Sequence, residues 1–326
     1  MNRPLVSLTV ICYQAEAFIL EAINGALSQT YTPLEIIFSD DASNDKTFDI
    51  IKEAVAKYAG PHRIILNRNS SNLGIGAHVS KVWFDIAQGD WIIVSAGDDI
   101  SEANRVARLM EVANPSIGAV HHNCIAVDDL SREIDFSPIS SVRAFEECDM
   151  SLDDLILKGG SLLGSTMCIN KKMLSKYGPI NADVVNEDSV IMYRAKHFGG
   201  FLFLDEALLR YRIHIKSVSN QFYGSSIRNY ASQIVTNCKN RLAIINQIFA
   251  DGDIITLSND TVRHLNKEKR RLEIDLFLFS NGKFNISYFS EIWFYIKLAK
   301  WIFFRPYRII RNLKINRNHD SKKKAL

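Results

Sequence analysis

Hydrophobic positions in the first 125 residues switch repeatedly between a strand period and a helix period. Short apolar, often β-branched runs predict strands over Leu5–Cys12, Leu34–Phe38, Arg63–Leu66, Trp91–Val94 and Ile117–His121. Amphipathic stretches between them predict helices over Glu16–Ser28, Asp45–Tyr58, Gly76–Ala87 and Glu102–Ala113. Strand–helix alternation of this kind specifies an α/β fold, a mostly parallel sheet with helices on both faces. Open sheets of that class bind ligands beyond the carboxyl ends of their strands. The residues at those ends are Tyr13, the Asp40–Asp41 pair and the Asp98–Asp99 pair.

From Asp128 to Lys158 the periodicity weakens, and a long excursion or irregular loops are expected. A glycine-containing turn, Gly159 to Gly164, then leads into a short strand, Thr166–Asn170. A helix over Asp188–His197 and strands near Phe201–Leu204 and Leu208–Ile213 close the domain. Beyond Ser219 the pattern is helical, which divides the chain into a main domain over 1–219, a helical C-terminal appendage over 220–315 and a disordered basic tail over 316–326. From Lys283 onward, large aromatics such as Trp293 and Trp301 interleave with Lys297, Lys300, Arg305 and Arg308. That mixture suits a packed helical hairpin, or an interfacial helix in peripheral contact with an anionic membrane. Lys297 and Lys300 interrupt the apolar run and argue against a span.

Composition narrows the class only a little. The chain has 326 residues and a net charge of +3, too small a surplus to imply a nucleic-acid partner. Its five cysteines are scattered without a CxxC pair, which argues against a disulfide framework or a zinc site and suits a reducing compartment. The apolar opening run reads as a first strand, because Gln14 and Glu16 follow it without a small-residue cleavage pattern. A cytoplasmic location, at the inner face of the cytoplasmic membrane if the C-terminal stretch binds lipid, is the expectation.

The acidic pairs carry the first chemistry. Adjacent carboxylates at a strand end repel unless solvent or a cation compensates, and hard oxygen ligands suit Mn²⁺ or Mg²⁺ held together with substrate phosphates. Taken alone, Asp98–Asp99 could equally cap the helix near Glu102, and Asp40–Asp41 could cap the helix at Asp45. Glu187–Asp188, before an apolar helix, reads either as an acidic first turn or as a general base. Gly74 and Gly76 lack the third glycine of a dinucleotide fingerprint.

The stretch VSLTVICYQAEAFILEAINGALSQTYTPLEIIFSDDASND resembles the opening of inverting glycosyltransferases of family 2, whose fold is the Rossmann-like GT-A sheet. The resemblance runs through Tyr13-Gln14, Ser28-Gln29-Thr30-Tyr31, Asp40-Asp41-Ala42-Ser43, Asn72-Leu73-Gly74 and GDWIIVSAGDD at Gly89–Asp99, and covers about residues 4–215. It implies that Tyr13 and Asp41 hold the nucleotide base, that Asp98 touches the ribose or the metal, and that Asp99 ligates a Mn²⁺ or Mg²⁺ bridging the diphosphate. It implies Asp188 as the base for the acceptor hydroxyl, with Glu187 the second candidate, and a glycine loop (Gly160, Gly164) near donor sugar and acceptor. Arg212 would contact phosphate, and His214 would be a further metal ligand or diphosphate contact. The implied partners are a nucleotide-sugar donor, UDP- or dTDP-linked by preference, and a glycan or lipid-linked glycan acceptor, as in surface polysaccharide or O-antigen synthesis. Gln14 and Ala42 replace the family's Asn and Gly, mild changes on sequence grounds. Val79-Ser80 replaces an Arg-Asn pair that addresses the nucleotide, with His78 or Lys81 as substitutes. That departure keeps open a catalytically weakened sugar-nucleotide-binding module; a sugar nucleotidyltransferase is the other alternative, although its phosphate loop is missing after the first strand.

Overall fold

The computed structural model describes residues 3–135, 150–214 and 227–280. An eight-stranded sheet runs in the order β3-β2-β1-β4-β7-β6-β8-β5. Its first half is parallel: β1 (Val6–Cys12) lies between β2 (Leu34–Asp40) and β4 (Trp91–Ala96), and β3 (Arg63–Arg68) pairs with β2 at the edge. β1 and β2 are almost wholly buried, as near-continuous apolar strands covered on both faces must be. Val6, Leu8 and Val10 of β1 join Ile36 and Phe38 of β2, with Ile19 and Ile23 of helix α1 (Ile19–Leu27), in the main core. Glu35 is tolerated inside β2 because its carboxylate accepts from the Ser7 hydroxyl and the Gln88 amide, both at 2.6 Å.

The second half is mixed. β7 (Met167–Asn170) runs antiparallel to both β4 and β6 (Ala119–Val127), and β6 pairs in parallel with β8 (Phe201–Arg212). β8 is one strand where the sequence suggested two, and the break in its hydrophobic pattern coincides with register shifts against β6 near Asn123. A two-residue strand, β5 (Ile100–Ser101), pairs with β8 directly after the Asp98–Asp99 pair.

Helices α2 (Thr47–Ala56), α3 (Ile75–Ser80) and α4 (Arg105–Val112) follow the expected pattern in shortened form. The helix expected over Gly76–Ala87 divides, since α3 passes at Lys81–Ile86 into a π-helical turn. Two helices had not been anticipated. α5 (Leu152–Lys158) occupies part of the expected irregular excursion, with Ser151 accepting from the Asp154 amide and Gly159 closing its end at φ +69°. α6 (Lys171–Tyr177) starts from Asn170, whose side chain accepts from the Lys172 amide. Helix α7 (Glu187–Phe198) carries the second acidic pair at its first turn.

Helices α8 (Ile227–Ala250) and α9 (Asn259–Ser280) follow, and the compact unit containing the sheet extends from Met1 to Leu276. α7 is tied to the end of α8 by a buried ion pair, in which Arg194 donates to both oxygens of Asp251 at 2.8 Å. The aromatic and basic stretch from Lys283, the tail over 316–326 and most of the segment between Asp128 and Met150 lie outside the described residues. Among the described residues no helix is long and apolar enough to cross a membrane.

Candidate active site

The carboxyl ends of β1, β2 and β4 present the first group of residues. Tyr13 leaves β1 with its ring 49% exposed. The turns here are strained, because Gln14 and Ala42 hold φ of +47° and +58° without being glycine. The two substitutions that looked mild in sequence therefore fall on left-handed positions that Asn and Gly accept more readily. The Ala42 turn is fixed by Asp40, which accepts from the Ser43 amide and hydroxyl.

Neither acid of this pair caps α2, whose N-cap is Lys46; Asp45, one residue earlier, accepts from the Thr47 amide at 3.0 Å. Asp41 is buried and accepts from Asn69 Nδ2 at 2.8 Å and from the Leu73 and Gly74 amides at 2.9 and 3.0 Å. It thus organises the Asn72-Leu73-Gly74 loop. Lys81 donates to Asn69 Oδ1 at 2.8 Å, which sets a cation beside this network. Val79 is buried, and the Ser80 hydroxyl is engaged with Ile180. The two positions departing from the family pattern are thus structural.

At the end of β4 the two acids separate. Asp98 keeps a partly buried carboxylate whose Oδ2 lies 3.0 Å from His214 Nε2, so the last strand and β4 converge there. Asp99 turns inward: Oδ1 accepts from the Arg212 amide at 2.9 Å, and Oδ2 has no hydrogen-bond partner among the described residues. Burial first, then the Asp98 charge, pushes the Asp99 carboxyl up to about 8, against the pull of Ser165 and the Arg212 amide. Neither acid caps α4, whose first residue is Arg105.

Arg212, expected at a phosphate, is buried and its guanidinium points into the protein. Nε donates to the Asp98 carbonyl, Nη1 to the Asp128 carbonyl and Nη2 to Ser131 Oγ, at 2.9, 2.8 and 3.0 Å. Glu21 is its ion-pair partner at 3.2 Å, and the Phe18 ring lies 4.7 Å away. With these donors committed, Arg212 is a clamp that fixes the segment bearing Asp98.

The second group sits on the other side of the glycine loop. Glu187 and Asp188 are both partly buried. Burial pushes Glu187 up to about 7; burial and then repulsion from Glu187 push Asp188 well above its ordinary value. The favourable dipole of the α7 N-terminus is worth about 0.3–1 kcal/mol, less than one pKa unit, and loses to these effects. Gly164 stands directly against this pair, for a Cβ there would approach Glu187 Oε1 to 2.9 Å. The next residue, Ser165, acts on Asp99, so the loop bridges the two acidic groups. Gly160 is buried in the same loop.

Arg105 was not anticipated. It is wholly buried, donating to His122 Nε2, Ser101 Oγ and the carbonyls of Val94 and Ser165, and burial lowers it to about 10. It joins the end of β4 to the glycine loop. No spacing rule singles out such a residue, whose role depends on strands brought together by the fold.

Residues 7–147 match the family model described as glycosyl transferase family 2. An uncharacterized glycosyltransferase of Nostoc sp. is 26% identical over 217 residues, covering 64% of this chain and 65% of the relative. The chain spans 61% of the length of the uncharacterized mycobacterial relatives that it matches at 27% identity. A mannosyltransferase from Pyrobaculum calidifontis, solved with GDP-Man and Mn²⁺, superposes with a TM-score of 0.56 at 14% identity, covering 97% of this chain and 85% of that one. TarS residues 1–349 of S. aureus, solved with UDP-GlcNAc, give a TM-score of 0.52 at 15% identity, over 88% and 76% of the two chains. These likenesses establish the GT-A-like fold.

Proposed function

We propose, for a chain whose residues 7–147 match the glycosyl transferase family 2 model, that it transfers a sugar from a nucleotide diphosphate to an acceptor hydroxyl with inversion. The observation that carries this reading is the convergence of Asp98 and His214, 3.0 Å apart, at the carboxyl edge of the parallel strands. A carboxylate oxygen and a neighbouring imidazole fit a divalent cation that takes its other ligands from a diphosphate and water, and the imidazole favours Mn²⁺ over Mg²⁺. When bound, the cation would offset charge developing on the leaving diphosphate. Asp99 stands behind this pair and anchors the strand end that leads to His214, in place of the direct ligand role the resemblance implied.

Tyr13 offers an exposed ring to the base, and Lys81, beside the Asp41–Asn69 network, supplies the cation that Val79 cannot. In the displacement the acceptor oxygen attacks the anomeric carbon on the face opposite the diphosphate. The carbon–oxygen bond to the diphosphate breaks with its electron pair, and Asp188, with Glu187 beside it, takes the hydroxyl proton. A raised carboxylate is a stronger base than an ordinary one once ionised. The donor is a UDP- or dTDP-sugar, with a GDP-sugar the first alternative, and the acceptor a glycan of the surface-polysaccharide type. The aromatic and basic residues from Lys283 onward suit contact with an anionic leaflet carrying a lipid-linked acceptor.

The test is a screen of UDP-, dTDP- and GDP-sugars with Mn²⁺ for release of the nucleoside diphosphate, with the product anomer read by NMR. Inversion is expected. Retention, or no release from any donor, would overturn the reading.

A further inference from the structure

The loop leading into Glu187 and Asp188 has few bonds of its own. Helix α7 lacks a side-chain cap at Asn186, and the Val185 and Asn186 N–H groups just before its first turn need acceptors of their own. They find them on α8. Asn240 Oδ1 accepts from both the Val185 and the Asn186 amides, at 3.0 and 3.1 Å, while its Nδ2 donates to Asn186 Oδ1 at 2.7 Å. Seven residues along the same helix, Gln247 Oε1 accepts from the Asn181 amide at 2.6 Å. Positions seven apart share one helical face, so α8 meets this loop along a line.

The opposite side of the loop is held by α3. The Ser80 hydroxyl both donates to the Ile180 carbonyl and accepts from the Ile180 amide. Gly76 lies so close that a Cβ would reach the Val184 carbonyl at 2.5 Å. Next to Asn240, Arg241 donates to the Ile156 carbonyl at the end of α5, pairs with Glu268 at 3.0 Å and packs beneath Gly159. Adjacent residues of α8 therefore grip the two segments whose meeting places Gly164 against Glu187.

We infer that Asn240 is a positioning residue for proton transfer, and that α8 belongs to the reaction machinery and is not a passive appendage. The inference rests on the reading of Asp188, with Glu187, as the base. A base displaced by about 1 Å loses about a hundredfold in rate, which is what loosening Val185 and Asn186 would bring about. Asn240 touches neither Asp98 nor Asp41 among its described contacts, so its effect belongs to turnover and not to donor affinity.

The experiment compares wild type, Asn240→Ala, Asn240→Asp and Asp188→Asn in the full chain. Its probe is UDP-GlcNAc or GDP-mannose, whichever wild type hydrolyses faster with Mn²⁺. Amide hydrogen exchange at Val185 and Asn186 is read in parallel, and it reports whether or not either donor turns over. Asn240→Ala is expected to speed exchange at those two amides by about tenfold or more. It should lower kcat by about 10- to 100-fold and leave donor KM within about twofold. Asn240→Asp keeps the accepting oxygen, so protection and kcat at high pH should return. Its added charge should move the acid limb of the pH profile upward.

Unchanged exchange in Asn240→Ala would overturn the inference. So would a lower melting temperature with normal kcat, the result of a merely structural contact. If Asp188→Asn turns over normally, the assignment of the base has failed instead, and exchange alone then judges the hold of α8 on the loop.

Discussion

Replacing Arg212 by leucine separates a clamp from a phosphate ligand. The guanidinium gives hydrogen bonds to the carbonyls of Asp98 and Asp128 and to Ser131, pairs with Glu21 and stacks on Phe18. Leucine would leave the two carbonyls without those donors, at about 1–3 kcal/mol each. Loss of the cation–π contact adds about 0.5–2 kcal/mol. Glu21 is partly exposed, so water can follow its side of the cavity and the total should sit in the lower half of that range. The expected loss is about 3–5 kcal/mol, a large share of the 5–15 kcal/mol that holds a typical domain folded. Urea unfolding followed by the fluorescence of buried Trp83 and Trp91 measures it. Nucleoside diphosphate affinity of the folded protein, read by calorimetry, should stay within about threefold of wild type, since no donor of Arg212 reaches for the ligand. An unchanged urea midpoint with affinity reduced more than tenfold would show that Arg212 holds phosphate.

Three further outcomes follow from the geometry. Asp98→Asn and His214→Ala should each abolish the tightening of UDP or GDP binding by Mn²⁺ in calorimetry, whereas Asp99→Asn should retain it; the reverse pattern would place the cation on Asp99. Asp251→Ala strands the buried Arg194 guanidinium and should cost about 3–5 kcal/mol in urea unfolding, and a loss under 1 kcal/mol would show that the pair contributes little. Ala42→Gly relieves a left-handed residue and should stabilise by about 0.5–1 kcal/mol after the extra entropy of glycine is counted; destabilisation would show that Ala42 carries no strain.

The parallel half of the sheet was legible because buried strands and amphipathic helices leave strong periodicities, as in Val6–Cys12 and Leu34–Asp40. Helix α5 was legible too, in the Ser151–Asp154 capping pattern and Gly159, but these local signals were outweighed by the weak apolar period around them. The acidic pairs were found as types, not as orientations. Nothing in two adjacent aspartates says which turns inward; that is decided by β5, whose pairing with β8 turns Asp99 toward the Arg212 amide. Arg212 and Asn240 were beyond reach for a related reason. Their roles depend on contacts more than 50 residues away in sequence, to Asp98 and Asn186 respectively.

The central claim meets its most direct test in nucleoside diphosphate release by wild type and Asp188→Asn, measured from pH 5 to 9 alongside donor affinity. Burial and mutual repulsion raise the Glu187–Asp188 pair, so the base is protonated at low pH and gained as pH rises through about 7 or above. Wild-type turnover should climb along that limb. Asp188→Asn should fall by about two to four orders of magnitude while its donor affinity barely changes. Normal turnover in the variant, or a wild-type profile flat down to pH 5, would contradict the account.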